Sequence, residues 1–207
     1  MTGDAAALTR PAPAELLAAR PAEGIFVGGL ERQTVVLVEH RAEWGARYVD
    51  EQARIVGALG VAAVRVAHIG STSVPGLAAK PIVDIQVAVP DVADELTFVD
   101  QLHAVGYLTR VCERGEHWMF RTLAKDVHVH VCPAGGDWEY RHLLFRDWLR
   151  HDPADRAVYE AAKRRLAALD WPSMQHYAEA KSQVIHEIIG RALDWAAATG
   201  WAVRAYG

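Results

Sequence analysis

Cysteine is almost missing from this 207-residue chain, which has only Cys112 and Cys132. They do not form a CxxC pair, which excludes a zinc ribbon or a thioredoxin-type motif. Two thiols in a chain of this length do not make a disulfide scaffold, and a reducing compartment is expected. An excess of positive charge is missing too. Lys and Arg number 22 against 26 Asp and Glu, giving a net charge of -4 and a sequence pI near 6.2. A protein that tracks double-stranded nucleic acid carries the opposite bias, so no duplex partner is expected, although a local basic pocket stays compatible with these totals. No apolar run approaches bilayer-spanning length, so no membrane partner is expected. The first 24 residues mix prolines and charges and lack the apolar stretch of a secretory signal. A cytoplasmic location is expected. Internal repeats and low-complexity linkers are also lacking.

What is present is an ordinary globular composition, 51% hydrophobic and 23% charged, long enough for one sizeable core. Residues 1–30 read as an N-terminal extension, with a short helix expected around AELLAAR and an apolar GIFVGGL that suits an arm packed on the body. Residues 31–207 read as one domain, sheet-rich over 31–132 and helical over 133–207. Strands are expected at QTVVLVEH (33–40), VAAVRVAHI (61–69), PIVDIQVAV (81–89), HWMFRTL (117–123) and DVHVHV (126–131). A helix is expected over 42–59, ended by Gly60, and another over 92–105, capped by Asp91 and ended by Gly106. Three helical patterns follow: 137–150, 153–169 and 174–198. The fold class expected is α/β (α+β): a mixed sheet flanked by helices, with a helical C-terminal part.

One stretch carries chemistry: HIGSTSVPGLAAKPIVDIQVAV, residues 68–89. Gly70 sits where a strand breaks, and a glycine there allows a close backbone approach. Ser71, Thr72 and exposed amides at such a bend can hold phosphate oxygens. Lys80 adds a positive charge before the next strand. That strand contains a lone acid, Asp84. Side chains alternate along a strand, so Asp84, Gln86 and Ala88 share one face and the valines share the other. A carboxylate there needs a cation or a metal ion. DVHVHVC alternates in the same way, with Asp126, His128, His130 and Cys132 on one face. Were the two strands neighbours, this face would meet Asp84. His128 and His130 are therefore candidates with Asp84 for metal ligation and acid–base work. Arg121, Arg146 and Lys181 are candidates for contact with an anionic ligand, because planar or flexible cations suit phosphate.

The glycine-serine bend followed a dozen residues later by an acid on a strand resembles the nucleotidyltransferase superfamily. More narrowly, HIGSTSVPGLAAKPIVDI, with HVHV, RHLLFRDWLR, YEAAKRRLA and YAEAKSQVIHEII in that order, resembles the GrpB family, a branch of that superfamily. The resemblance covers roughly residues 33–192. That family also occurs fused to dephospho-CoA kinases.

The resemblance implies a nucleotidyltransferase-like sheet, a nucleotide or other small-molecule substrate, and a divalent metal: magnesium, manganese or zinc. It implies that Gly70 and Ser71 hold a triphosphate and that Asp84 holds the metal. Enzymes of the superfamily place a second carboxylate two residues after the first, where this chain has Gln86, and a third on a neighbouring strand, where it has His128 or His130. Three functions stay open: nucleotidyl transfer to an unknown acceptor, a degenerate fold that binds a nucleotide or phosphorylated metabolite without turnover, or a repurposed acid–base enzyme using Asp84 and a histidine.

Overall fold

The valine-rich stretches become the centre of a sheet, and their polar alternates become one face of it. The computed structural model describes residues 25–27, 29, 31 and 34–203; the helix expected around AELLAAR lies outside the described residues. In chain order the elements are β1 (Ile25–Phe26), α1 (Glu43–Leu59), β2 (Arg65–Ile69), β3 (Val83–Val89), α2 (Val99–Ala104), β4 (Tyr107–Glu113), β5 (His117–Thr122) and β6 (Val127–Pro133). The helical part follows: α3 (Asp137–His151), α4 (Pro153–Ala167), α5 (Met174–Glu179) and α6 (Ser182–Thr199). Among the described residues the sheet has six strands, in the order β1-β4-β5-β6-β3-β2. β3 and β6 run parallel; the other pairs are antiparallel. The expected mixed sheet with flanking helices is the observed fold.

The two faces of the sheet carry different chemistry. Val83, Ile85, Val87, Val127, Val129, Val131 and Phe120 point to one side, where they pack with Ile55 and Leu59 of α1, Leu102 of α2 and Phe98 just before α2. These side chains are nearly all removed from water, at roughly 25 cal/mol per Å² of apolar surface. The C-terminal helices make a second core of their own around Leu144, Leu149, Ile188, Ile189 and Leu193, joined by Val74 and Leu77 from the loop before β3. The polar face of the sheet looks toward this helical part.

Several expectations need correction. Residues 34–40 are not a regular strand; only Val38 bridges, to Ala79. The 92–105 helix shrinks to Val99–Ala104 after a single 3-10 turn at Glu95–Thr97. Local side-chain bonds divert the backbone there: Asp91 accepts from the Ala93 amide (2.8 Å) and Thr97 donates to the Asp94 carbonyl (2.7 Å), the usual competition of short polar residues with a helix. β4 was not anticipated. Its alternation is blurred by buried Arg110 and by a register shift between Thr109 and Val111. The last expected helix is two, broken at Ala180–Lys181. Ile25 and Phe26, from the expected arm, pair with β4 as β1.

Gln86 is fully buried and donates to Glu139 Oε1 (3.3 Å). Glu139, also buried, accepts from Arg65 (2.7 Å) and from the Gly135 amide (2.6 Å). This buried group ties α3 to β2 and β3. Removing the cation leaves a buried carboxylate uncompensated. Arg65→Met is expected to lower stability by about 3–5 kcal/mol in urea denaturation, and Arg65→Met/Glu139→Leu to recover only part of that loss, because the Gln86 amide and the Gly135 N–H then lose their acceptor.

Candidate functional site

Parallel pairing of β3 and β6 sets Asp84 opposite His128 and Gln86 opposite His130. Asp84 Oδ1 lies 3.3 Å from His128 Nδ1 and 3.5 Å from His130 Nε2. Burial pushes the Asp84 carboxyl up, but the two imidazoles beside it outweigh burial and hold it well below the usual carboxylate range. Burial also presses His130 down to about 4, against the opposing pull of Asp84. Near neutral pH the group is therefore one carboxylate and a neutral His130. One ligand atom from each of Asp84, His128 and His130 lies within 4.8 Å of the others.

The bend before β3 rests on Asp84. Gly70 has φ 68° and ψ -175°, a region essentially restricted to glycine. A Cβ there would sit 2.4 Å from Asp84 Oδ2. Ser73 donates to the Gly70 carbonyl (2.6 Å). Thr72 donates to the Ile82 carbonyl (3.2 Å), so its oxygen accepts from His68 Nε2 (3.0 Å). Thr72 thus shapes the bend rather than offering a spare hydroxyl.

Opposite the sheet, the helices bring cations. A cavity of about 440 Å³ is lined by Gly70, Ser71, Thr72, Lys80, Asp84, His128, His130 and Lys181, all singled out from sequence. It is also lined by Lys163, Tyr159, Tyr177, Arg141 and His142. Lys163 is nearly fully buried and donates to Ser71 Oγ (3.1 Å) and to the Ala78 carbonyl. Lys80 and Lys181 lie over the ring of Tyr177, at 5.5 and 4.8 Å from its centroid. Among the described residues neither lysine forms a salt bridge to a carboxylate. Burial, then repulsion from Lys181, lowers Lys163 to about 7 and Lys80 to about 8. Burial lowers Lys181 as well and raises Tyr159 and Tyr177 to about 12. Lys163 carries a signal that the sequence reading missed: it falls four residues after Tyr159, on the same inward face of α4.

Two predicted residues do not line this cavity. Arg146 is buried behind the bend, donating to the His68 carbonyl (3.1 Å) and to Asp147 (2.7 Å). Arg121 sits directly across the β5–β6 pairing from His128, as expected, but lines a smaller adjoining cavity with His128 and Lys80, where Glu31 grips it at 2.6 and 2.9 Å. Glu31, also held by Lys125, is lowered to about 2. Asp126 leaves the histidine face and accepts from Thr122 (2.6 Å). Gln86 does not line the cavity.

A family model described as GrpB protein matches residues 34–191. The chain belongs to the GrpB family. A UPF0157 protein of Streptomyces coelicolor is 51% identical over 167 residues, covering 81% of this chain and 89% of that protein. The crystal structure titled conserved protein GrpB from Enterococcus faecalis superposes with a TM-score of 0.66 at 31% identity, over 77% of this chain and 98% of that one. A protein of Mycolicibacterium paratuberculosis named dephospho-CoA kinase is 32% identical over 200 residues, but these make up only 49% of its length. No helix among the described residues of this GrpB chain is long and apolar enough to cross a membrane.

Gly70→Ala should cost about 1–3 kcal/mol in thermal denaturation through the forced backbone conformation, and should displace Asp84. The lysines set a pH trend. Their protonation constants are lower in the folded state than in the unfolded chain, so across about pH 7 to 10.5 the unfolded chain holds more protons. The ligand-free protein should therefore become more stable as pH rises through that window. Melting temperatures recorded against pH should show the rise, and Lys163→Met should flatten it.

Proposed function

We propose that this GrpB protein is a metal-dependent nucleotidyltransferase acting on a nucleoside triphosphate and a small-molecule acceptor. The observation that carries the reading is the charge balance of one cavity. Lys80, Lys163, Lys181 and Arg141 line it against a single carboxylate, Asp84. Positive groups held in a half-enclosed cavity at depressed protonation constants favour a polyanion. Ser71, within 3.1 Å of Lys163, extends the same surface. Ile69, Phe145, Ile185 and Ile189 give the cavity an apolar wall suited to the uncharged part of such a ligand.

The donor set fits a metal ion. Two imidazoles and one carboxylate suit zinc or manganese better than magnesium, which prefers oxygen. Asp84, His128 and His130 would hold it, and the ion would polarise a phosphoryl oxygen. The lysines neutralise charge on the departing pyrophosphate. The acceptor hydroxyl attacks the α-phosphorus and the bond to the bridging oxygen breaks. The acceptor proton leaves with the departing pyrophosphate.

The burial of Gln86 against Glu139 favours a second reading, binding without turnover. It removes the position at which the superfamily carries its second carboxylate, and with it ordinary two-metal chemistry.

Differential melting with each of the four triphosphates, with and without zinc, manganese or magnesium, tests both readings. A triphosphate at about 100 times its Kd should add about 2.7 kcal/mol of stability. Lys163→Met should remove most of that gain, and Asp84→Asn should remove only its metal-dependent part. Pyrophosphate release with acceptor mixtures supports transfer; tight binding with no release supports the second reading. No stabilisation by any triphosphate under any metal condition would sink both.

A further inference from the structure

Beside the first cavity lies a smaller one of about 100 Å³, and the two share Lys80, Ile82, Met119, His128 and Met174 in their walls. Small-molecule sites usually have about 300–1,000 Å³. The smaller cavity therefore suits one charged group of a ligand whose body lies in the larger. Its own contribution is charge. Arg110, Arg121 and Lys125 line it, and Glu31 is the one carboxylate among its described lining residues. Arg121 grips Glu31 with two side-by-side bonds, and Lys125 adds a third at 3.0 Å. Arg110 donates to the Val27 and Gly29 carbonyls, and among the described residues it has no salt bridge to an acid. With Lys80, four cations face one carboxylate.

Lys125 stands there against local preference. Its φ is 60°, and among the described residues no other non-glycine has a positive φ. Turn positions of that kind favour glycine or asparagine. An outlier of this sort points to a use for the side chain.

We propose that Arg110, Arg121 and Lys125 form a seat for a phosphate monoester, the charged group of the acceptor, with the Glu31 carboxylate as its internal occupant.

The grip on Glu31 shows what the seat recognises. A guanidinium fork takes two oxygens of a carboxylate or of a phosphate in the same way. Arg121, and then Lys125, hold the Glu31 carboxyl down to about 2, which is stabilisation of charge on an oxyanion. The amount of charge decides between the two ligands. Glu31 is tethered to the seat, so a free carboxylate of equal charge gains nothing by exchange and loses its freedom in solution. A phosphate monoester carries about −1.5 to −2 at neutral pH and answers the surplus of cations better. The exchange needs little movement. The Met174 amide donates to the Glu31 carbonyl (3.1 Å) and anchors its backbone, while 29% of the side chain already meets solvent. The side chain turns outward and β1 stays in place. The seat stands on these contacts alone; naming its ligand as the acceptor rests on the transfer reading given above.

The test is calorimetric titration of inorganic phosphate alone, and of acetate alone, into the metal-free full chain. Phosphate should bind the wild type and acetate should not. Removing the internal occupant in Glu31→Gln should tighten phosphate by about 2–5-fold, the scale of one part-exposed ion pair. Arg121→Met should weaken it by about 10–100-fold, the scale of hydrogen bonds to a charged group. Arg121→Lys keeps the charge, disturbs folding least and should weaken it by less. Adding Lys163→Met, a change in the larger cavity, should leave these responses in place. Phosphate that binds neither the wild type nor Glu31→Gln overturns the proposal, and so does binding that ignores one or both of Glu31→Gln and Arg121→Met. Acetate binding as tightly as phosphate overturns the choice of a phosphate ester. The same shifts in the affinity of a triphosphate would give the seat to the nucleotide and overturn its assignment to the acceptor. The transfer reading fails separately: a protein that binds phosphate in this pattern but binds no triphosphate keeps the seat and loses that reading.

Discussion

The parallel register between β3 and β6 is the constraint from which the rest of the molecule follows. It lays Asp84 beside His128 in the middle of the sheet, on strands whose other faces are nearly pure valine and isoleucine. A lone acid on a strand that is otherwise buried is costly unless charge or hydrogen bonds answer it. Two imidazoles answer it from within the sheet. The bend at Gly70 closes over it from the side, in a conformation that a side chain would block. One face of the sheet can then be an ordinary core while the other becomes a chemical surface.

That division explains why the C-terminal helical part is cationic where it meets the sheet. The three lysines arrive from separate places: the loop before β3, the middle of α4, and the break between α5 and α6. None sits next to another in sequence, yet Lys80 and Lys181 share the face of one tyrosine. Bringing them together works against folding, because like charges in a poorly solvated space repel. The fold holds them with short contacts from carbonyl, hydroxyl and ring rather than with acids. The acids of the polar face are used otherwise: Glu139 locks onto Arg65 and Gln86, and Glu31 onto Arg121.

Much of this was legible in the sequence because it was local. The alternation in PIVDIQVAV and DVHVHVC gives both the inward and outward faces, and the GSTSVPG bend stands out by composition. The adjacency of those two strands could be posed from the sequence but not shown. What stayed hidden depended on contacts between distant positions. Lys163 meets Ser71 across 92 residues of chain, and His117 meets His130 across a hairpin, so neither pairing leaves a periodic trace. Arg121 and Arg146 had the right chemistry and the right neighbourhood. The structure gives Arg121 to Glu31 and Arg146 to a backbone carbonyl and Asp147. QTVVLVEH shows the opposite error: a β-branched run that finds no neighbouring strand remains irregular despite its propensity.

The short strand β1 and the carboxylate that follows it bear on how the molecule is trimmed. The family match begins at residue 34, downstream of both. Cutting the chain at that boundary would strip the outer margin of β4 of its pairing and leave the Arg121 guanidinium and the Lys125 ammonium without their shared acid. A truncated form would thus gain a bare, adhesive sheet border and a stray pair of cations in the adjoining cavity, which His128 also lines, and anion affinity measured on it would report partly on the missing arm.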